Sequence, residues 1–238
     1  GTRGQGRSVR GIGPVNEFVS VVVGGTPEQA GIGTLLLSRP PTNAKVPVMT
    51  TTVPGTGHGL GTPGDRSVAS PAMTIERVGI LGSGIMGSGI AEVAAKSGFE
   101  VVLRSRKQES ADAMVAALEK SLARQVERGK LEQATADEVR ARVTATDHLG
   151  ALVDCDLVIE SVVEDLAVKK PLFAELDSVV KDSAILATNT STLPVVDMAV
   201  ATERPDRVCG VHFFNPAPAM ALVEIVRPLT ASDETIAA

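Results

Sequence analysis

From Met73 to the end of the chain, apolar runs of four to eight residues alternate with longer amphipathic stretches. This alternation is typical of repeated strand–helix units, which build a parallel sheet with helices on its faces. The expected strands are Arg77–Leu81, Glu100–Ser105, Val143–Thr146, Leu157–Val162, Ala184–Thr188, Arg207–Phe213 and Leu222–Val226. The pattern therefore predicts an α/β domain with a doubly wound, mostly parallel sheet.

A long helical excursion separates the second and third of these strands. Its apolar residues recur every fourth position, as on one face of a helix. They are Met114, Leu118, Leu122 and Val126. The stretch "RGKLEQ" around Gly129 predicts a turn into a second helix, and Ser232 or Asp233 can cap a further helix at "SDETIAA". Because this last helix has scarcely begun at Ala238, we expect a domain truncated at its C-terminus.

Residues 1–72 have a different composition from the rest. They hold 14 of the 23 glycines and 8 of the 14 prolines, and six basic against three acidic residues give +3, which leaves −8 for the remainder. This predicts a low-order leader and linker before a domain at 73–238. Within residues 16–44, "FVSVVV" and "GIGTLLLSRPPTNA" weakly resemble the start of an enoyl-CoA hydratase (crotonase), but without its catalytic positions. We interpret this segment as a possible remnant whose native origin is open.

Composition narrows the class of partner. A net charge of −5 argues against nucleic acid, and no apolar run approaches the roughly 18–20 residues of a membrane span. The two cysteines, Cys155 and Cys209, lack metal-type spacing, which predicts no metal site and a reducing, cytoplasmic location. A small-molecule ligand is therefore expected.

A glycine-rich loop follows the first strand of the domain. In "LGSGIMGSGIAEVAAKSG", the residues Gly82, Gly84 and Gly87 form G-x-G-x-x-G, and a helix runs on through Ile85 and Met86. The first glycine permits the tight turn, the second lets the backbone approach a pyrophosphate, and the third lets the helix pack on the strand. Between a strand and a helix, this motif predicts a dinucleotide site.

The end of the next strand bears on the choice of dinucleotide. An acidic residue there would accept the ribose hydroxyls of NAD, but "EVVLRSR" places Ser105 at that position, flanked by Arg104 and Arg106. A hydroxyl beside an arginine can bind the 2′-phosphate of NADP, which a carboxylate would repel. The cofactor is thus NADP or NAD, with a slight preference for NADP. The alternative is that both arginines are solvated edge charges.

Two costly polar residues lie in consecutive apolar runs of "CGVHFFNPAPAMALVEIV". The segment "NPAPAMA" is long enough to reverse the chain, so His212 and Glu224 can lie side by side on paired strands. A carboxylate beside an imidazole fixes one tautomer and stabilises the protonated ring, which makes a general base. Ser191 follows another strand end and would face the same crevice. Alone, His212 could instead be a structural histidine bonded to a backbone carbonyl.

Together, four segments resemble the 3-hydroxyacyl-CoA dehydrogenase family, and most of all its bacterial 3-hydroxybutyryl-CoA dehydrogenases. They are "VGILGSGIMGSGIAEVAAKSGFEV", "DLVIESVVEDLAVKKPLFAELD", "AILATNTSTLPV" and "GVHFFNPAPAMALVEIV". The resemblance implies hydride transfer between a nicotinamide cofactor and C3 of a short-chain 3-hydroxyacyl-CoA or 3-ketoacyl-CoA, as in fatty acid or butanoate metabolism. His212 would be the base, Glu224 its partner and Ser191 the ligand of the substrate oxygen.

The resemblance also implies binding residues. Glu164, Lys169 and Asn189 would contact the cofactor, although Glu164 and Lys169 would also suit a solvated helix face. Substrate contacts are implied for Ser121 and Arg128 on the helical excursion and for Asn215. An exposed arginine such as Arg128 is often merely solvated.

The family continues into an all-helical C-terminal domain, which is absent from this chain and which provides most of the dimer interface. We therefore expect the fragment to be inactive alone and longer relatives to dimerise. The alternatives are a 3-hydroxyacid dehydrogenase of the 6-phosphogluconate type, in which "HFFNP" would have no role, and a dinucleotide-binding module without turnover.

Overall fold

The computed structural model describes residues 73–238 apart from residue 221, together with the backbone of a strand at residues 17–22. The remaining parts of the leader, including Gly31–Ala44 and the linker at 45–72, lie outside the described residues. The division of the chain at residue 72 therefore stays a prediction.

The described residues form a sheet of eight strands. The strands are β1 (Glu17–Val22), β2 (Arg77–Leu81), β3 (Glu100–Arg104), β4 (Val143–Thr146), β5 (Leu157–Glu160), β6 (Ile185–Thr188), β7 (Val208–Phe213) and β8 (Leu222–Arg227). Their order is β1-β8-β7-β6-β5-β2-β3-β4. The strands from β2 to β7 pair in parallel, whereas β8 is antiparallel to both β7 and β1. The chain order reverses between β2 and β5, which is the switch point where doubly wound sheets bind ligands.

Six helices accompany the described strands. They are α1 (Ile85–Lys96), α2 (Gln108–Glu127), α3 (Gln133–Ala141), α4 (Leu166–Val179), α5 (Val195–Ala199) and α6 (Asp233–Ala237). None of the helices in the described part of the chain is long and apolar enough to cross a membrane.

Two apolar clusters, one containing Ile80, Ile90 and Leu103 and the other Leu152 and Phe173, account for the buried core. Near-continuous burial of the central strands follows from helices packing on the sheet, and explains why the polar residues of these strands stand at their ends. The architecture confirms the predicted Rossmann-type α/β fold.

All seven predicted strands of the domain are present, with ends that differ by up to two residues. The strand predicted to reach Val162 ends at Glu160 because the Glu160 carboxylate accepts the N–H of Val162 at 2.5 Å and turns the chain out of the ladder. The predicted turn at Gly129 has φ +64°, and the Ser232 hydroxyl caps α6.

Strand β1 was not predicted to join the domain. It belongs to the leader, yet its backbone pairs with β8 along the whole of Glu17–Val22.

Candidate active site

The glycine loop connects β2 to α1 at the carboxyl end of the sheet. Gly82 has φ +126°, and a Cβ there would lie 2.1 Å from the carbonyl oxygen of Ser161. A Cβ at Gly87 would lie 2.6 Å from the Gly82 oxygen, so the helix packs closely on the turn. By contrast, a Cβ at Gly84 would meet nothing within 4 Å. Two of the glycines are therefore required by the fold itself, whereas Gly84 borders open space.

That open space has the properties of a pyrophosphate site. Gly84 is the N-cap of α1 and offers no side-chain hydrogen bond to the first turn of the helix. The free N–H groups and the helix dipole therefore suit an anion. Ile85, 80% exposed, and the half-buried Met86 begin the helix. The loop fits the diphosphate of a dinucleotide on geometric grounds.

Ser105 and Arg106 follow β3 at the carboxyl end of the sheet, where the glycine loop also lies. In the strand order, β3 is the second strand from β5. Ser105 is buried and its N–H donates to Thr146, whereas the side chain of Arg106 is exposed. Arg104 is half-buried, and its Nε donates to the carbonyl of Asp147. The two arginines thus differ: Arg104 is engaged by the fold, and Arg106 is the exposed cation beside the serine.

His212 and Glu224 are directly paired across β7 and β8. The distance from His212 Nδ1 to Glu224 Oε2 is 2.9 Å, with 17% and 26% of the side chains exposed. The ring of Phe214 packs on the imidazole at a centroid distance of 4.7 Å. This carboxylate holds the imidazole in one orientation, and both groups remain open to a ligand. The structural alternative for His212, a bond to a backbone carbonyl, does not describe this geometry.

A polar cluster joins the ends of β5 and β6 to α4. Lys169 Nζ lies 2.9 Å from Glu160 Oε2 and 3.0 Å from Glu164 Oε2, and the lysine side chain is 1% exposed. The predicted pair of Glu164 and Lys169 is thus brought together. The alternative of a solvated helix face is wrong for Lys169, since its ammonium is buried between two carboxylates.

Glu164 organises the loop after β6. It accepts hydrogen bonds from the hydroxyls of Thr190 and Thr192. Burial raises the pKa of the Glu164 carboxyl, but the bonds from Thr190 and Lys169 outweigh burial and hold it below its usual value. Glu164 is therefore ionised at neutral pH, and its bond to Thr190 places it beside the next residue along the chain, Ser191, whose side chain is exposed.

Two members of this cluster were not predicted from the sequence. Glu160 and Thr188 are fully buried at the ends of β5 and β6, and Thr188 Oγ1 donates to Glu160 Oε2 at 2.7 Å. A signal was present, because Glu160 interrupts the apolar strand "LVIE" just as His212 interrupts its own strand. Asn189, predicted to contact the cofactor, is half-buried and bonded on both sides, to Phe213 N–H and to the Ser161 hydroxyl.

The predicted substrate residues Ser121 and Arg128 line one groove of about 730 Å³ between α2 and the loop after β7. We call it the basic groove, because four exposed cations line it with Gln125, Pro216, Pro218 and Ala219; the cations are Lys120, Arg124, Arg128 and Lys130. A second cavity of about 300 Å³ continues from Ser121 to Gly84 and Ile85. The basic groove is thus connected to the glycine loop. Asn215 is exposed directly before Pro216.

Comparison with known proteins gives consistent results. Residues 77–238 match the family profile described as the NAD binding domain of 3-hydroxyacyl-CoA dehydrogenase. A curated 3-hydroxybutyryl-CoA dehydrogenase of Mycobacterium tuberculosis is 50% identical over 169 residues, which cover 69% of this chain and 57% of the relative. The chain therefore spans little more than half the length of that protein.

Solved structures agree. The crystal structure of 3-hydroxybutyryl-CoA dehydrogenase from Escherichia coli K12 has a TM-score of 0.68 at 40% identity, covering 69% of this chain and 35% of that one. The (S)-3-hydroxybutyryl-CoA dehydrogenase of Ralstonia eutropha has a TM-score of 0.66 at 37% identity, covering 68% and 57%.

Proposed function

Because this chain belongs to the 3-hydroxyacyl-CoA dehydrogenase family and carries its NAD-binding domain, we propose that it serves hydride transfer at C3 of a short-chain 3-hydroxyacyl-CoA. The observation that supports this most strongly is the His212–Glu224 pair, whose side chains are 2.9 Å apart. It lies at the carboxyl end of the parallel strands, as the glycine loop does. Neither the loop nor the pair alone would distinguish a dehydrogenase from a nucleotide-binding module.

We assign transfer of the substrate hydroxyl proton to the paired side chains of His212 and Glu224. In the tautomer of His212 that donates its Nδ1–H to Glu224, the other ring nitrogen, Nε2, is the acceptor for the substrate hydroxyl proton. As the C3–H bond breaks with its electron pair and the C3–O bond becomes a carbonyl, that proton passes to Nε2. Glu224 then stabilises the resulting imidazolium. In reduction His212 returns the proton to the oxygen.

Other residues bind and orient. The loop of Gly82, Gly84 and Gly87 would hold NAD or NADP, which would supply the two-electron hydride acceptor for this reaction. Ser191, which directly follows the Thr190 that bonds Glu164, would direct its hydroxyl to the substrate oxygen. Lys169 has no exposed ammonium with which to reach a ligand, so it supports the cofactor side through Glu164.

The basic groove supports an acyl-CoA substrate. Four cations suit the phosphates of CoA, while Pro216, Pro218 and Ala219 offer an apolar wall. The groove includes Ser121 and Arg128 and continues to the glycine loop, so a bound thioester could extend towards the nicotinamide. The match to 3-hydroxyacyl-CoA dehydrogenases also disfavours the 6-phosphogluconate-type alternative.

The preference for NADP rests on Ser105 and Arg106. The exposed guanidinium of Arg106 and the small side chain of Ser105 leave a 2′-phosphate without a repelling carboxylate. Replacing Ser105 by Asp should weaken NADPH binding by about tenfold or more and strengthen NADH binding, since a carboxylate accepts ribose hydroxyls and repels phosphate. Nucleotide fluorescence titrations measure both affinities, and binding of neither nucleotide by either protein would contradict the cofactor assignment.

The reaction is tested by following NADH or NADPH oxidation with acetoacetyl-CoA. We expect Glu224→Gln to lower kcat by roughly 10²–10⁴-fold while nucleotide affinity stays within about threefold, because the carboxylate acts on the proton and not on the cofactor. Glu203→Gln, a change of an exposed carboxylate at the opposite end of the sheet, is the matched control. Turnover that Glu224→Gln leaves unchanged would contradict the role of Glu224, whereas nucleotide binding without turnover agrees both with a binding module and with the expected inactivity of this chain alone.

A further inference from the structure

The strand that carries His212 extends past its neighbour in the sheet. The ladder between β6 and β7 ends at the pair of Thr188 and Gly210, while β7 continues to Phe213. On the other side, β8 pairs with His212 and Phe213 to the end. The main chain around His212 is therefore held by strand pairing from β8 only.

Where β6 ends, the side chain of Asn189 makes the next contact with β7. Its Oδ1 accepts the N–H of Phe213 at 2.7 Å, which continues the contact between β6 and β7 beyond the last backbone pair. Its Nδ2 donates to Ser161 Oγ at 3.3 Å, and its own N–H donates to the carbonyl of Glu160 at 2.8 Å. One half-buried amide thus connects the ends of β5, β6 and β7.

We infer that Asn189 is a positioning residue for His212. Phe213 is the next residue along the chain, so the bond to its N–H fixes the peptide that joins it to His212. Glu224 fixes the imidazole ring, and Asn189 fixes the main chain from the opposite strand. A base must be placed within a few tenths of an ångström of its proton, and a displacement of 1 Å can lower a rate by about 10²-fold.

This inference rests on the proposed function for the role of His212, and it differs from the prediction that Asn189 contacts the cofactor. Both polar atoms of the amide are already engaged within the protein, so its contribution is made through the backbone of β7. An acceptor at this place is what matters. The substitution Asn189→Asp keeps an oxygen for Phe213 N–H, whereas Asn189→Ala removes it.

The test combines kinetics with a direct readout of the imidazole. The chain has three histidines, His58, His148 and His212, so the ring signals in carbon–proton correlation spectra can be assigned with His58→Asn and His148→Asn variants. We expect Asn189→Ala to shift or broaden the His212 signal and to lower kcat by about 10²-fold. Nucleotide affinity should stay within about threefold, and Asn189→Asp should restore most of the His212 signal.

The control is Thr202→Ala, which removes one buried hydrogen bond, to the carbonyl of Ala199, at the opposite end of the sheet. It should leave the His212 signal in place. An unchanged His212 signal in Asn189→Ala would overturn the inference. If nucleotide affinity were lost as well, the result would support the earlier prediction that Asn189 contacts the cofactor. The spectra decide this even if the unaltered chain shows no turnover, as is expected of a fragment that is inactive alone. If Asn189→Ala fails to fold, Asn189→Asp is compared with Glu224→Gln instead. The oxygen retained in Asn189→Asp should keep the His212 signal near its position in the unaltered chain. A signal displaced as far as in Glu224→Gln would overturn the inference.

Discussion

A lysine ammonium is costly to bury, and Lys169 on α4 is fully buried. It is stabilised by contacts to Glu160 and Glu164, at 2.9 and 3.0 Å. Glu160 is buried as well, whereas Glu164 is 40% exposed and is the most accessible carboxylate of the cluster. The buried part of the cluster therefore positions the exposed carboxylate. Sequence indicated Glu164 and Lys169 as a pair, but the third member ends a strand nine positions before Lys169, and its burial depends on packing.

The two cysteines allow a sharp test of the core. Burial raises the pKa of Cys155 to about 11 and that of Cys209 to about 12, and both thiols are free. Since the thiolate is the reactive form, we expect both to react with Ellman reagent at pH 8 at least about 10²-fold more slowly in the native chain than in guanidinium chloride. The rate of absorbance change measures this difference.

Denaturation should release two equivalents of thiol, because the sequence contains no other cysteine. Cys155→Ser and Cys209→Ser each identify one of the two slow phases. One equivalent reacting quickly in the native chain would show that its cysteine is accessible, and that the packing described around it is wrong.

At the scale of elements, α1 contacts three parts of the candidate site. Its N-terminus forms the glycine loop, and Gly89 lets the loop after β7 approach, since a Cβ there would lie 3.2 Å from both Ala217 Cβ and Pro218 Cδ. On α1, the buried Glu92 accepts from Gln125 Nε2 of α2 at 2.7 Å. Lys96 Nζ bonds both Glu92 and Gln125. Helix α2, which lines the basic groove, is thus tied to the cofactor helix by a buried carboxylate.

This link predicts a pH-dependent contribution to stability. Burial raises the pKa of Glu92, but the hydrogen bonds from Lys96 and Gln125 outweigh burial and lower the pKa below the usual 4.5. A lowered folded-state pKa means that the contribution is present above 4.5 and is lost as the pH falls through the folded-state value. We expect Glu92→Gln to reduce the free energy of unfolding by roughly 1–3 kcal/mol at pH 7, and by progressively less below pH 4.5.

Urea unfolding followed by circular dichroism between pH 3 and pH 7 measures this difference. Glu119→Gln is the matched control, since Glu119 pairs with Arg140 on the surface and is 53% exposed. An exposed pair contributes at most about 1 kcal/mol. A Glu92→Gln difference that is equal at pH 3 and pH 7 would show that the charge of Glu92 is not involved.

At the scale of the whole molecule, the domain from residue 73 onward followed from local patterns. Strand runs, the glycine motif between a strand and a helix, and the four-residue spacing on α2 are each contained in short windows, and the structure contains the strands and helices that they predicted. What the sequence did not predict depends on distant residues meeting. Asn189 bonds Phe213 because β6 ends early, and Glu92 bonds Gln125 across 33 positions. Such partners have no local signature.

Strand β1 is the largest difference from expectation. It comes from the leader, whose glycine and proline content predicted little order, and it lies outside the part of the chain that matches the family profile, residues 77–238. The pairing places Ser20 opposite Glu224, so β1 adjoins the strand that carries the carboxylate partner of His212. The backbone groups at the edge of β8 are thereby paired, and an unpaired edge would attract other strands.

Removing residues 1–72 should therefore expose the outer edge of β8. We expect the amides of Leu222–Arg227 that point towards β1 to exchange with deuterium at least about tenfold faster in the shortened chain, while those bonded to β7 keep their protection, because only one side of the strand loses its partner. Amides of the central strand β2 are the internal control. If β8 exchanges equally in both chains, β1 does not hold that edge in solution. If exchange rises and nucleotide affinity is unchanged, the leader contributes to the sheet beside Glu224 without contributing to the cofactor site. This would agree with the three strands that lie between β8 and β2, the strand before the glycine loop.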